Sequence, residues 1–156
     1  MVQQHAWRLP VALAVAIAAV AAVSAQGRAY QNESLDGLVA RCTTVNTSTL
    51  PQASLELYGI RGSEGQGLLS CVVQRQPQDP GEPEEPRNVE ATVRATFHSI
   101  GQAPEPIDIR EVREENLVTY LGTYPVRGRD TLVFDVEVEV EDAALEMSFD
   151  DRTPHI

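Results

Sequence analysis

A run of charged side chains lies within the stretch IDIREVREENLVTYL, from Ile107 to Leu121. Residues 110–115 hold two arginines and three glutamates. Arginine forks bind carboxylates through two parallel hydrogen bonds, so this composition would suit a recognition surface. The simpler interpretation is the polar tip of a β-hairpin whose own charges pair with one another. Exposed pairs of that kind contribute little to stability.

Histidine, the usual general base, is scarce in this chain. His5 lies at the N-terminus and His155 is one residue from the C-terminus, which leaves His98 within the domain. A catalytic triad or a zinc site needs partners that the sequence does not supply, and no nucleophile elbow is present. We therefore predict no catalytic residue, no metal ligand and no cofactor. An uncharacterised periplasmic enzyme is the least favoured alternative.

Several acidic residues share one face of a predicted strand, and two more follow near the C-terminus, which raises the question of a calcium site. These residues are Asp135, Glu137, Glu139 and Glu141, with Asp150 and Asp151 as partners from a neighbouring strand. Successive Cβ atoms on that face lie about 6.5–7 Å apart, too far for one cation to bridge without such partners. A calcium-binding sandwich is thus the second alternative. A solvated acidic face that prevents edge-to-edge pairing is the preferred interpretation.

The two cysteines, Cys42 and Cys71, are predicted to form a disulfide. An even number of cysteines in an exported chain usually pairs, whereas a cytosolic location would favour two separate buried thiols. The N-terminus supports export. Arg8 precedes an apolar run that ends in Val-Ser-Ala, so residues 1–25 read as a signal peptide cleaved after Ala25. The run is 15 residues long, shorter than the roughly 20 of a membrane-spanning helix, although an uncleaved anchor is the alternative.

Charge excludes several classes of partner. All 12 basic residues are arginine and stand against 23 acidic ones, and loss of Arg8 with the signal changes the formal net charge from −11 to −12. Such a chain repels nucleic acid and gains nothing from an anionic membrane surface. The acids could attract a cation or a basic partner. Their dispersal along the whole chain favours a solvated surface instead.

Alternating apolar and polar residues predict the elements that carry these groups. The pattern is clear at residues 89–97, 132–140 and 145–149, and seven candidate strands are counted in total. We predict an all-β, immunoglobulin-like antiparallel β-sandwich of about seven strands over residues 37–150. A flexible tether is predicted at 26–36, a tail at 151–156, a mobile loop at 76–87, and one short helical turn that ends at Gly59.

Two segments resemble a known family. LYGIRGSEGQGLLSCVVQR and IDIREVREENLVTYLGTYPVRGRDTLVFDVEVEV are similar to small exported gammaproteobacterial proteins described as domain of unknown function 4426. The resemblance spans roughly residues 38–149. It implies a periplasmic β-sandwich and supplies no activity. The matched positions form a candidate interaction surface, which comprises Tyr58, Arg61, Arg110, Glu111, Arg113, Glu114 and Tyr120. By fold class and exclusion, we expect a non-catalytic binding or assembly module with an unidentified envelope protein as partner.

Overall fold

Two antiparallel β-sheets form the protein in the computed structural model, which describes residues 28–33, 37–79, 81 and 85–152. The strands in these ranges are β1 (Arg28–Glu33), β2 (Leu38–Asn46), β3 (Gln66–Arg75), β4 (Arg87–Asn88), β5 (Thr92–Ser99), β6 (Glu105–Ile107), β7 (Arg110–Glu114), β8 (Leu117–Pro125), β9 (Leu132–Val140) and β10 (Ala143–Asp151). The first sheet runs β1-β2-β3-β8-β7, with β4 paired to the end of β3. The second sheet runs β10-β9-β5-β6. The predicted all-β sandwich is confirmed.

The core lies between the sheets and follows from the alternation seen in the sequence. Phe134, Val136 and Val138 on β9 are fully buried, whereas Glu137 and Glu139, which flank Val138, face solvent. The ring of Phe134 meets Tyr124 of the opposite sheet edge-on, with centroids 4.9 Å apart. Aromatic pairs in this geometry add to the free energy of apolar burial, so this contact helps to hold the two sheets together.

The strand count and the domain limits differ from the sequence prediction. The described residues contain ten strands instead of seven, because β1, β4 and β6 lie in segments without an apolar alternation. Residues 28–33, predicted to belong to a tether, pair with β2 over their whole length. Backbone pairing at a sheet edge needs no hydrophobic period, so the pattern could not reveal it. Asp151, assigned to the tail, ends β10 and is buried, and it accepts a 2.6 Å hydrogen bond from the Thr44 hydroxyl.

The predicted disulfide joins the centres of two neighbouring strands. Cys42 on β2 and Cys71 on β3 lie directly opposite one another, with their Cα atoms 4.1 Å apart, and both side chains are fully buried. So close an approach is typical of the pairs in an antiparallel ladder that do not exchange hydrogen bonds. The pairing is therefore confirmed. No helix in the described ranges is long and apolar enough to cross a membrane. The predicted signal peptide at 1–25 lies outside the described residues.

A short helix, α1 (Gln52–Leu57), lies in the connection between β2 and β3, and residues on either side of it contact the outer face of the first sheet. Gly59 ends it as predicted. Its φ is +62°, its amide donates to the Glu56 carbonyl, and the Ile60 amide donates to the Leu55 carbonyl. This is the Schellman arrangement, in which glycine adopts the left-handed conformation at no steric cost. After α1, Tyr58 and Ile60 pack against a small apolar cluster on the sheet. The cluster consists of Val45, Leu68 and Leu121 with Leu50 and Val112.

The chain crosses from the second sheet to the first between β6 and β7. The crossing residues, Asp108 and Ile109, pass close to Gly122 on β8. A Cβ at Gly122 would lie 2.4 Å from Cγ2 of Ile107, a distance that real contacts do not reach. Glycine at this position lets the crossing segment approach the sheet and start β7 beside β8.

Candidate functional site

Strand β7 divides the charged run of the sequence between two faces of the first sheet. Successive side chains of a strand point to opposite faces, and Arg110, Val112 and Glu114 therefore share the outer face. Glu111 and Arg113 lie on the inner side, where Glu111 is opposite Tyr120 on β8. The seven candidate residues consequently form two separate groups.

The inner group is an ion-pair cluster at the edge of the sandwich. Arg113 binds Glu90 with Nη1 2.5 Å from Oε1, and its Nε also pairs with Glu111. The hydrogen bond and charge of Arg113 hold the pKa of the exposed Glu90 carboxyl below its usual value. The Tyr120 hydroxyl accepts a 2.7 Å hydrogen bond from the Ala91 amide, and burial raises the pKa of this phenol. Every charge and hydroxyl in this group already has a partner within the chain, so it suits a structural role.

The outer group lies beside an open groove, which two of its members, Arg61 and Arg110, line. Tyr58 lies near Glu114, and burial followed by that carboxylate raises the pKa of the Tyr58 phenol. Arg110 extends its guanidinium over the bare backbone of Gly59, and a Cβ at Gly59 would lie 3.6 Å from Nη1. Arg61 is on the segment that follows. The structure thus brings Tyr58 close to Glu114 and places Arg61 and Arg110 in the lining of one groove.

We call this feature the arginine groove. It has a volume of about 230 Å³ and crosses the outer face of β8 between the α1–β3 connection and the start of β7. Its lining consists of Gly59, Ile60, Arg61, Gln66, Leu68, Asp108, Arg110, Leu121, Gly122 and Thr123. Gln66, Leu68, Asp108 and Thr123 were not predicted from the sequence. The period of two in β8 could have indicated Thr123, which points to the same side as Leu121.

Both arginines of the groove lack an ion-pair partner among the described residues. Arg113, Arg94 and Arg75 each pair with a carboxylate, whereas neither Arg61 nor Arg110 does. Asp108 lines the same groove without pairing with either. Two exposed guanidinium groups with unused donors can hold an anionic group.

The acidic face considered for calcium lies on the outer side of the second sheet. Asp135, Glu137 and Glu139 share that face on β9, and Arg94 of β5 pairs with Glu137 and Glu139 at 3.7 and 3.1 Å. Glu141 lies beyond the end of the strand. The described part of the chain contains no group of three or more side chains placed to hold a metal ion. The arrangement fits the solvated acidic face that the sequence favoured.

His98 lines a larger cleft of about 600 Å³ at one end of the sandwich. Its Nδ1 is buried without a hydrogen-bond partner and lies 4.0 Å from Oδ2 of Asp135. The cleft also contains Arg127, Asp130 and Glu105, so its charges are mixed. These groups define neither a nucleophile and base in contact nor a preferred ligand charge.

Comparison with known proteins defines the family. The family model described as a domain of unknown function, DUF4426, matches residues 32–153. The chain belongs to the DUF4426 family. A crystal structure of a DUF4426 family protein from Pseudomonas aeruginosa PAO1 is similar, with a TM-score of 0.62 and 27% sequence identity. The match covers 79% of this chain and 92% of that one. The comparison with curated proteins finds no match.

The DUF4426 match encloses both halves of the charged run and the arginine groove. Residues 58–61, 66–68 and 108–123 all fall within the matched range. The resemblance inferred from the sequence is thereby confirmed. The family description itself carries no activity, so the chemistry of the groove is the basis for a functional proposal.

Proposed function

We propose that this DUF4426 protein is a non-catalytic, exported binding or assembly module of the bacterial envelope, and that the arginine groove is its recognition surface. The observation that carries the proposal is the pair of arginines, Arg61 and Arg110, which line one groove without a carboxylate partner among the described residues. In a chain of net charge −11, three arginines elsewhere on the sheets, Arg75, Arg94 and Arg113, each pair with a carboxylate. Two guanidinium groups left open at one place are available to a partner.

A binding role accounts for the groove better than catalysis does. Neither a histidine nor a free cysteine lines the groove, and its hydroxyl-bearing residue, Thr123, has no base beside it in the lining. General acid–base or nucleophilic chemistry requires such a pair within hydrogen-bond reach. The groove offers two exposed positive charges, which suit a recognition site for an anionic group.

The exported location is the second part of the proposal. The signal-like segment at 1–25 and the cross-strand disulfide both favour an oxidising compartment, which for a bacterial envelope protein is the periplasm. We expect the mature protein to begin near Gln26. Intact-mass measurement of the protein recovered from the periplasm tests this, and a mass that includes residues 1–25 would contradict both cleavage and release from the membrane.

Site-specific photo-crosslinking in cells tests the recognition surface. A photoreactive amino acid at Thr123, which is exposed in the groove, should give a defined crosslinked adduct. The same amino acid at Ser148, exposed on β10 in the second sheet, serves as the matched control and should give none.

Charge reversal of the groove separates specific from adventitious capture. The double variant Arg61→Glu with Arg110→Glu should abolish the adduct from position 123 while the protein still folds, because both side chains are exposed and unpaired. An adduct that persists in this variant, or one that forms equally from position 148, would contradict the proposed surface.

A further inference from the structure

We infer that the arginine groove captures the C-terminal carboxylate of a partner protein. This inference rests on the proposed binding function and names the group that is bound. It is built from three properties of the groove, which are its unused donors, its charge balance and its size.

The donors fit a carboxylate. Each guanidinium offers N–H groups in a planar fork that matches the two oxygens of a carboxylate, and in Arg61 and Arg110 no described residue forms an ion pair with the fork. Gly59 contributes by having no side chain. The guanidinium of Arg110 lies directly over the left-handed backbone of Gly59. Nη1 and Nη2 of Arg110 are 3.6 Å and 3.9 Å from the place where a Cβ of residue 59 would be. The fork therefore stays open to an incoming ligand.

The charge balance favours a single negative charge. Arg61 and Arg110 contribute two positive charges to the lining, and Asp108 contributes one negative charge. The rest of the molecule is strongly acidic, with a net charge of −11 over the chain. A polyanion, or a partner segment rich in aspartate and glutamate, would be repelled as it approached. A chain end that carries one carboxylate enters with little repulsion and is held once it reaches the two forks.

The size favours an end group. The groove holds about 230 Å³, below the roughly 300–1,000 Å³ of pockets that enclose whole small molecules. Its walls, residues 59–61 on one side and Asp108 with Arg110 on the other, leave space for one end of an extended chain. Leu68 and Leu121 of the lining are almost fully buried in the apolar cluster that includes Ile60, so the groove presents little apolar surface to the last side chain. Capture of a terminal carboxylate is a recognised mode of peptide binding.

Fluorescence anisotropy with defined peptides tests the inference. The probe is a labelled octapeptide of glycine, serine and alanine that ends in Ala-Leu with a free carboxylate. The comparison peptides are its C-terminal amide and an amide that carries one internal glutamate. With the mature, oxidised protein, we expect the free acid to bind at least about tenfold more tightly than either amide.

Variants assign the effect to the groove. Arg61→Gln and Arg110→Gln should each weaken binding of the free acid by about tenfold or more. Arg110→Lys should bind the free acid more tightly than Arg110→Gln but less tightly than the wild type, because lysine keeps the charge and loses the planar guanidinium. Arg113→Gln is the matched control, since Arg113 lies on the other face of β7 with its own carboxylate partners, and it should leave binding unchanged. Thermal unfolding of each variant verifies the fold.

Three results would overturn the inference: equal binding of acid and amide, equal loss in the Arg113 variant, or no binding of the free acid at about 1 mM. The glutamate-bearing amide distinguishes the source of the carboxylate, because its tight binding would assign the groove to acidic side chains instead of chain ends. If the peptides fail while crosslinking from Thr123 still depends on Arg61 and Arg110, the binding module stands and only the carboxylate capture is wrong.

Discussion

At the residue scale, the ion pair between Arg113 and Glu90 gives a prediction about protonation. Arg113 lowers the pKa of Glu90 first through its hydrogen bond and then through its charge. A carboxyl whose folded pKa is depressed stabilises the fold above its unfolded pKa, and this contribution is lost as pH falls through the folded pKa. In Arg113→Gln, we expect the NMR titration midpoint of Glu90 to rise towards the usual value, whereas Arg110→Gln should not move it. A midpoint that is the same in wild type and Arg113→Gln would show that the pair does not form.

Glu115, at the turn between β7 and β8, gives a second prediction at this scale. Its φ of +47° is in the left-handed region, and it is the only residue other than glycine with positive φ in the described ranges. Glycine adopts this conformation without a steric penalty, so Glu115→Gly should raise the free energy of unfolding by about 0.5–1 kcal/mol. Asn116→Gly, at the next residue of the same turn, removes no such strain and should not stabilise. Urea unfolding of both variants measures the change in the free energy of unfolding. Equal changes in the two variants would argue against strain at Glu115.

At the scale of elements, the disulfide ties β2 to β3 in the centre of the first sheet. It closes a loop with a sequence separation of 29, which spans α1 and the turn before β3. On the entropic model, closing such a loop restricts the unfolded chain and raises the free energy of unfolding by about 3.5 kcal/mol. This is a large part of the usual stability of a small domain.

The double variant Cys42→Ala with Cys71→Ala should therefore unfold at a markedly lower urea concentration than the oxidised wild type. Titration of the denatured, unreduced wild type should detect no free thiol. Adding reductant is the internal control, because it should destabilise the wild type and leave the double variant unchanged. Two reactive thiols per chain would contradict the disulfide.

At the scale of the whole molecule, the proline- and acid-rich loop between β3 and β4 can be tested as a dispensable connection. Asp79, Gly81 and Glu85 are exposed, and nothing lies within 4 Å of a Cβ placed at Gly81. Changes in loop length alter closure entropy by only about 0.6 kcal/mol per doubling. Replacing residues 79–85 with a short Gly-Ser link should leave the midpoint of thermal unfolding nearly unchanged, and a large fall would mean that the loop packs on the domain.

The beginning of the same loop provides the contrasting control. The Gln76 amide donates a 2.8 Å hydrogen bond to the Gly37 carbonyl and so ties this end of the loop to the start of β2. Gln76→Pro removes the donor and should lower the midpoint, because the carbonyl loses its partner. A midpoint for Gln76→Pro as high as that of the wild type would show that this hydrogen bond does not anchor the loop.

The sequence by itself determined the properties that depend on local pattern and composition. Alternation along β5, β9 and β10 indicated half-buried strands, and hence a sandwich, because a period of two records which face of a sheet is covered. The even pair of cysteines indicated a disulfide, because cysteines in an exported chain usually pair. Gly59 marked the end of the helix, because glycine readily adopts the left-handed conformation that ends a helix. Strands β1, β4 and β6 could not be recognised, because they pair through backbone groups at sheet edges, which leaves no side-chain period.

Only the tertiary structure decided what the charged run does. In sequence, Arg110 and Arg113 are near neighbours in one cluster. In the fold, β7 places them on opposite faces, and each meets a different segment from elsewhere in the chain. Glu90 reaches Arg113 from the segment before β5, whereas Arg61 and Gly59 arrive beside Arg110 from the end of α1. Glu111 pairs with Arg113 from within β7, but the approach of Glu90 to Arg113 and of the 59–61 segment to Arg110 is long-range and is not encoded by a local spacing in the sequence.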